Sequence, residues 1–349
     1  MPKMPNEPLV GDQLRVTARN GGIVADSRQT LGSFLVDDWL PAIRLSIEPS
    51  TWGSYERYLR LHVVPHIGDV QLRGLDAATL NKLYADLLDH GRLDRRPGGL
   101  SPRSVRYIHA ILGRALQDAL AWERVVRNVA RAAQAPSPNS ARPREMSTWD
   151  GPTLATFLTA TKDHLMSDAW LFLATTGCRR GEALGLRWRD LDLEHGRASL
   201  VQTVTTVEHE IRVALRTKSG RGRNIELDTA TLKMLRARRT RQAKEKLASR
   251  SYDDQDLVFA TSNGRPIHPE RFSAMFDRAV RKAGVPRIRL HDLRHTWATL
   301  ALQAEVDIKV VSERLGHAST AITWDIYQHV TPTMQSNAAQ RVADLIFGA

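Results

Sequence analysis

Ala198-Ser199-Leu200-Val201-Gln202-Thr203-Val204-Thr205-Thr206 is the stretch on which the fold class turns. Val201, Thr203, Val204, Thr205 and Thr206 are β-branched, which favours a strand over a helix. Two further strands are expected at Glu210–Thr217 and Arg223–Leu227, with Gly220 and Gly222 marking a turn between them. Outward from this island the pattern is helical. Downstream, helices are predicted at Thr229–Ser249, Pro269–Ala283, His291–Gln303, Asp307–Leu315 and Ser319–His329. Upstream, they are predicted at Leu31–Arg44, Ser50–His62, Asp76–His90 and Ser101–Val126, each opening at or after a Ser, Thr or Asp able to cap its first turn.

Composition divides the chain. Gln134–Arg144 contains Pro136, Pro138 and Pro143 with Ser137 and Ser140, the make-up of a linker. The expected organisation is a polar arm at 1–29, an all-α domain at 30–133, a linker at 134–146, an α+β, mainly helical domain with a small antiparallel sheet at 147–330, and a tail at 331–349. Within the first domain, Gly91–Gly99 carries Arg92, Arg95, Arg96 and Pro97 and reads as a loop.

Charge narrows the partners. Lys and Arg total 50 against 38 Asp and Glu, a net +12 over 349 residues. Such an excess favours a polyanion, nucleic acid before a membrane surface. No apolar run approaches the ~18 residues of a membrane span, and Met1-Pro2-Lys3-Met4-Pro5 lacks the apolar stretch of a signal peptide, so a cytoplasmic chain is expected. The single cysteine, Cys178, excludes an internal disulfide framework and a thiolate-rich zinc site. No carboxylate cluster flanks the histidines, and no metal is expected. On Ser101–Val126 an apolar stripe of Ile108, Ile111, Leu112, Ala115, Leu116 and Ala119 leaves Arg103, Arg106 and Arg114 on the other side, where an arginine row can meet successive phosphates. A solvated polar face is the alternative for that row.

Five short boxes bring the chemistry. They are Thr176-Gly177-Cys178-Arg179-Arg180-Gly181-Glu182, then Lys218 in Thr217-Lys218-Ser219-Gly220, then His291-Asp292-Leu293-Arg294, then Leu315-Gly316-His317, and finally Tyr327 in Thr323-Trp324-Asp325-Ile326-Tyr327-Gln328-His329. His291 and Arg294 share one helical surface, while Leu293, Trp297 and Leu300 should face the core. Guanidinium pairs, imidazoles, an ammonium and a phenol suit phosphoryl transfer without a metal. The arginines would hold the non-bridging oxygens, and the phenol, with a free pKa of about 10, would be activated by its cationic surroundings. Singly, each residue has a structural reading as a surface cation, a helix cap or a packed ring.

Together and in this order, the boxes resemble the tyrosine recombinase, or phage integrase, family. The likeness covers nearly all of Glu145–Val330 and extends to Ser50-Thr51-x3-Tyr55 and Leu61-His62-x2-Pro65-x2-Gly68, which look like that family's core-binding, SAM-like module. The resemblance implies a site-specific DNA recombinase that breaks and rejoins strands through a 3′-phosphotyrosyl intermediate and a four-way junction, with no cofactor, metal or ATP. It implies Arg179 and Arg294 as the phosphate clamp, Glu182 as their support, Lys218 as general acid, His291 in proton transfer, His317 on the phosphate and Tyr327 as nucleophile. Arg180, one place off the motif, and Arg216, Arg221 and Arg223 in the hairpin are expected as DNA contacts. Cys178 stands where the family more often has an aliphatic residue, and packing is expected of it.

Partners implied are double-stranded attachment-site DNA, three further copies of the chain in a homo-tetramer on DNA, and directionality or DNA-bending accessory proteins. Val342, Leu345, Ile346 and Phe347 resemble the family's final helix, which packs on a neighbouring protomer; packing within the same subunit is the alternative. The rival activities are a type IB topoisomerase and a catalytically silent, integrase-derived DNA-binding regulator. The arm at 1–29 is short for the separate arm-type DNA-binding domain that many integrases carry.

Overall fold

A computed structural model describes residues 28–94, 96–140, 147–207, 210–214, 222–316, 343–344 and 346–347. Lys218, Arg216, Arg221, His317 and Tyr327, and the helix expected at Ser319–His329, lie outside the described residues. The chain divides into two compact units, Met1–Arg144 and Glu145–Ala349.

The first unit is helical. Helix α1 covers residues 31–43, with π-helical turns at Phe34–Trp39, and α2 covers 49–67, with π-helical turns at Leu59–Val63. Helices α3 (Ala77–His90) and α4 (Pro102–Ala121) follow. The caps follow the sequence: Asp76 accepts from the Thr79 amide and Ser101 from the Ser104 amide. Leu31, Phe34, Trp39, Leu80, Leu87, Ile108 and Leu112 bury their side chains in one core. Gly32 and Gly68 let α1 and the end of α2 meet backbone to backbone, the Gly32 amide donating to the Gly68 carbonyl at 2.8 Å. A Cβ on Gly32 would sit 3.1 Å from that same oxygen. Helix α4 stops earlier than expected. Glu123 takes a left-handed conformation (φ 57°) and the Arg124 amide turns back to the Ala119 carbonyl at 2.8 Å, closing the helix before Val126.

The second unit opens with α5 (Gly151–Ala160), α6 (Ser167–Thr176) and the short α7 (Arg180–Leu184). Among the described residues five strands follow, β1 (Leu191–Asp192), β2 (Arg197–Leu200), β3 (Thr203–Val207), β4 (Glu210–Ala214) and β5 (Arg223–Glu226). Then come α8 (Thr229–Ala248), α9 (Pro269–Ala283), α10 (Asp292–Gln303) and α11 (Ile308–Leu315). Trp149, Phe157, Trp170, Phe272 and Phe276 form its aromatic centre. The Trp149 indole, buried among them, donates to the Pro286 carbonyl at 2.8 Å.

The strands depart from expectation in two ways. The single strand read at Ala198–Thr206 is broken at Val201-Gln202, and its halves belong to different antiparallel sheets, β1-β2-β5 and β3-β4. Gln202 causes the break: its buried amide donates to the Gly185 carbonyl at 3.1 Å, turning the chain onto the end of α7. Nor do the second and third expected strands pair as a hairpin. Instead β5 lies against β2, with Ala198 opposite Ile225 and Leu200 opposite Arg223, and β4 lies against β3.

Candidate active site

Helix α6 ends at Gly177, whose left-handed conformation (φ 65°) redirects the chain towards Arg179. Arg179 is the N-cap of α7, and Glu182 three residues on closes a capping box by accepting the Arg179 amide at 2.7 Å. Gly181 is required because β3 crosses there: a Cβ would meet the Thr203 hydroxyl at 2.4 Å and the Val204 carbonyl at 2.7 Å. A helix of five residues is thus pinned by its own carboxylate and by a strand on its glycine face.

Glu182 is 1% exposed and holds two arginines. Its Oε1 accepts from Arg179 Nη1 at 2.9 Å and from Arg223 Nη1 at 2.7 Å, while Oε2 accepts from Arg223 Nη2 at 2.8 Å. Burial alone would raise its pKa, but the bonds and charge of Arg223, then Arg179, outweigh that and hold it below the usual range. Glu182 is therefore an anion at neutral pH.

Helix α10 supplies the second arginine. Asp292, itself buried, accepts the Arg289 amide at 2.8 Å and two guanidinium bonds from the same residue, so Asp292 rather than His291 secures the turn into this helix. Arg294 is 4% exposed. Its Nη1 donates to the Gly177 carbonyl at 3.0 Å and its Nη2 to the Leu315 carbonyl at 2.6 Å. Burial, then the charges of Arg179 and Arg223, lower its pKa to about 10, which still leaves it charged at neutral pH.

Helix α11 brings these groups together. It ends in Gly316, again left-handed (φ 66°). The last carbonyls of a helix lack partners within it and form its negative end. Here three arginines take three in succession: Arg223 Nε bonds the Arg314 carbonyl at 2.8 Å, Arg294 the Leu315 carbonyl, and Arg179 Nη2 the Gly316 carbonyl at 2.9 Å. The box glycines make the approach tight. A Cβ on Gly177 would meet Leu315 and the Trp297 ring at 2.9 Å, and one on Gly316 would meet Arg223 Nη1 at 3.1 Å.

His291 is exposed at one edge and sits within the field of Arg294 and Arg179. Partial desolvation of its ring, then the Arg294 charge, lower its pKa, leaving it neutral and able to accept a proton. The sequence reading passes over His295, whose ring meets that of His291 edge to face at 5.1 Å. The spacing of four between two histidines on a helix was the available signal. Burial, then His291, lower the His295 pKa to about 4. Cys178 is buried, and burial followed by the nearby Glu182 charge pushes its thiol up to about 12, so it packs as an uncharged group.

The remaining candidates are placed as follows. Arg223, expected on DNA, instead turns inward, its side chain 13% exposed, because β5 presents Arg223 and the buried Ile225 on one face and Glu182 draws the charge in. Arg180 is spent at the start of α9, donating from Nη1 to the Pro269 carbonyl at 3.0 Å and the Ser273 hydroxyl at 2.8 Å. In the first unit Arg103 is exposed and Arg114 half-buried, whereas Arg106 is anchored to the Pro136 carbonyl at 2.6 Å. Trp297 is half-buried and lies under the Arg314 guanidinium, 5.1 Å from it. Of the tail, Ile346 and Phe347 are exposed. Among the described residues no group of three or more His, Cys, Asp or Glu is placed to hold a metal ion, and no helix is long and apolar enough to cross a membrane.

Residues 153–334 match the phage integrase family and residues 30–88 match the phage integrase N-terminal SAM-like domain. The first match alone spans more than half of the chain, which therefore belongs to the phage integrase family. Its homologues are tyrosine recombinases and integrases. A XerC-like tyrosine recombinase of Caldanaerobacter subterraneus subsp. tengcongensis is 27% identical, over 94% of this chain and 86% of that one. The ICEBs1 integrase of Bacillus subtilis is 24% identical, over 92% and 84%. Among solved structures, the fold is shared with the Tn1549 transposon integrase in complex with a circular intermediate DNA, at a TM-score of 0.72, 18% identity and coverage of 90% of this chain and 99% of that one. It is also shared with a lambda integrase tetramer bound to a Holliday junction, at 0.64, 19%, 87% and 81%.

Proposed function

We propose that this chain is a site-specific recombinase that breaks and rejoins duplex DNA through Tyr327. The observation that carries the reading is the convergence of Arg179 and Arg294 on the carbonyl end of α11, immediately before His317 in the chain. Each guanidinium has five N–H donors. Peptide oxygens take two of Arg294's, which fixes its plane and leaves an edge for the non-bridging oxygens of a phosphodiester. Donors fixed in advance cost no reorganisation when charge builds on those oxygens, and are commonly worth about 3 kcal/mol each.

The Tyr327 oxygen attacks phosphorus and forms the 3′-phosphotyrosyl bond. Its proton passes towards neutral His291. The departing 5′ oxygen takes a proton from Lys218, and His317 bonds a phosphate oxygen. A 5′ hydroxyl from a second DNA then attacks, releases the tyrosine and reseals the strand. The bond energy is kept in the ester, so no nucleotide is consumed. Arg103 and Arg114 on α4 contact backbone phosphates in this reading. Four copies act on two duplexes through a four-way junction, with accessory proteins setting direction, in the cytoplasm of the host cell. Residues 331–349 dock on a neighbouring copy.

The test is trapping on a nicked duplex that spans the attachment site, sought in the DNA flanking the gene, followed by mapping of the modified peptide. A covalent adduct at Tyr327, absent from Tyr327→Phe although that variant still binds, is the expected result. An adduct on another residue, or none, overturns the reading. Efficient relaxation of a plasmid without such sites points to a topoisomerase instead.

A further inference from the structure

We infer that Arg223 is a positioning residue for strand cleavage, dictating how Arg179 and the end of α11 are presented to the scissile phosphate. This rests on the functional reading above. Arg223 makes a two-pronged bond to Glu182, with Nη1 on Oε1 at 2.7 Å and Nη2 on Oε2 at 2.8 Å, while its Nε holds the Arg314 carbonyl at 2.8 Å. One planar group thus ties α7, β5 and α11 together, and it begins the strand that follows Lys218 by five residues.

The division of Glu182 gives the argument its force. An ionised carboxylate offers about four acceptor sites. Four donors fill them: two from Arg223, one from the Arg179 amide and one from Arg179 Nη1. Because Arg223 occupies the fork, the Arg179 guanidinium takes one oxygen only, Oε1, while the Arg179 amide bonds Oε2. The other guanidinium arm is left to reach the Gly316 carbonyl. Without Arg223, Glu182 would face Arg179 alone, and the favoured geometry of that pair is the same two-pronged one. Arg179 would then be drawn back towards α7 and away from the phosphate. Close packing supports a directed role, since the Arg223 side chain fills the space left by the absent side chain of Gly316.

The experiment compares the full chain with Arg223→Met, Glu182→Gln and the double variant, at a temperature where circular dichroism shows each folded. Adduct formation and affinity are measured on the nicked attachment-site duplex. Arg223→Met should slow adduct formation at least ~30-fold with affinity within ~3-fold, because binding uses other contacts. The double variant should be at least ~5-fold faster than Arg223→Met, since the neutral amide introduced by Glu182→Gln no longer draws Arg179 in. A simple loss of structural support predicts the opposite, a double variant slower than either single one. Should Arg223→Met fail to fold, Arg223→Lys keeps the charge without the fork and should cut ~10-fold more slowly than the parent. Parental rates in the Arg223 variant, or a double variant no faster than Arg223→Met, overturn the inference. Failure of the parent itself to form an adduct would instead remove the functional reading beneath it.

Discussion

Arg294 is joined to Leu315 by a 2.6 Å bond from its Nη2 to the peptide carbonyl, and the same guanidinium reaches the Gly177 carbonyl at 3.0 Å. A single buried side chain therefore measures the distance between the first box and the end of α11.

Replacing that side chain should separate binding from chemistry. Arg294→Ala is expected to lose cleavage by at least ~10²-fold while keeping site affinity, because the lost donors act on charge that develops during attack. Arg294→Lys should do little better, since a compact ammonium cannot span both carbonyls in the plane of a guanidinium. Single-turnover cleavage alongside a gel-shift titration checks both; near-normal cleavage in either variant removes Arg294 from the clamp.

Three helix-ending glycines with nearly the same positive φ provide an internal control. Gly177, Gly284 and Gly316 have φ values of 65°, 68° and 66°. A Cβ at Gly284 meets nothing within 4 Å, whereas at Gly177 and Gly316 it meets Leu315, Trp297 or Arg223. Each Gly→Ala change should cost about 1–2 kcal/mol for the left-handed backbone. Only Gly177→Ala and Gly316→Ala should also lose cleavage. Urea unfolding and adduct yield test this, and equal activity across all three would show that the crowding does not matter.

His295 should leave a mark on acid stability. Its folded pKa, about 4, lies below the ordinary value of 6.5. A depressed group contributes stability that is present above the unfolded pKa and lost as pH falls through the folded one. Between pH 6.5 and about 4 the unfolded chain binds a proton that the folded chain refuses. His295→Asn should therefore flatten the decline between pH 7.5 and 5 by ~2 kcal/mol relative to the parent. Parallel slopes for the two proteins in urea titrations would refute the assignment.

Cys178 should be chemically silent in the folded chain. Buried and with a thiol pKa near 12, it presents no thiolate to an alkylating reagent. Iodoacetamide at pH 8 should modify it only after denaturant is added, as intact mass would report. Rapid labelling under native conditions would contradict its placement.

The parts of this architecture most readable in the sequence are those governed by local chemistry. Asp76, Ser101 and Asp228 each cap the helix that follows them, as their side chains and positions suggest. Pro269–Ala283 has the bounds expected, with Pro269 in its first turn and Gly284 as its C-cap. What escaped the reading depends on distant partners. Nothing near Gln202 reveals that its amide seeks the Gly185 carbonyl and splits a strand. In the sequence, Arg216, Arg221 and Arg223 look alike, all in a segment that reads as one basic hairpin. Alternation with Ile225 and Leu227 places Arg223 on the core face, but its destination depends on a buried acid 41 residues away in the chain. His295 was legible by spacing and overlooked.

That a Cβ on Gly177 would meet Leu315 and the Trp297 ring has a consequence for how such chains can diverge. A side chain at position 177 would claim volume that Leu315 and Trp297 fill, so beyond the left-handed strain it requires both neighbours to give way. Drift at these positions is coupled, and a relative that has exchanged one of them should carry its compensation at another.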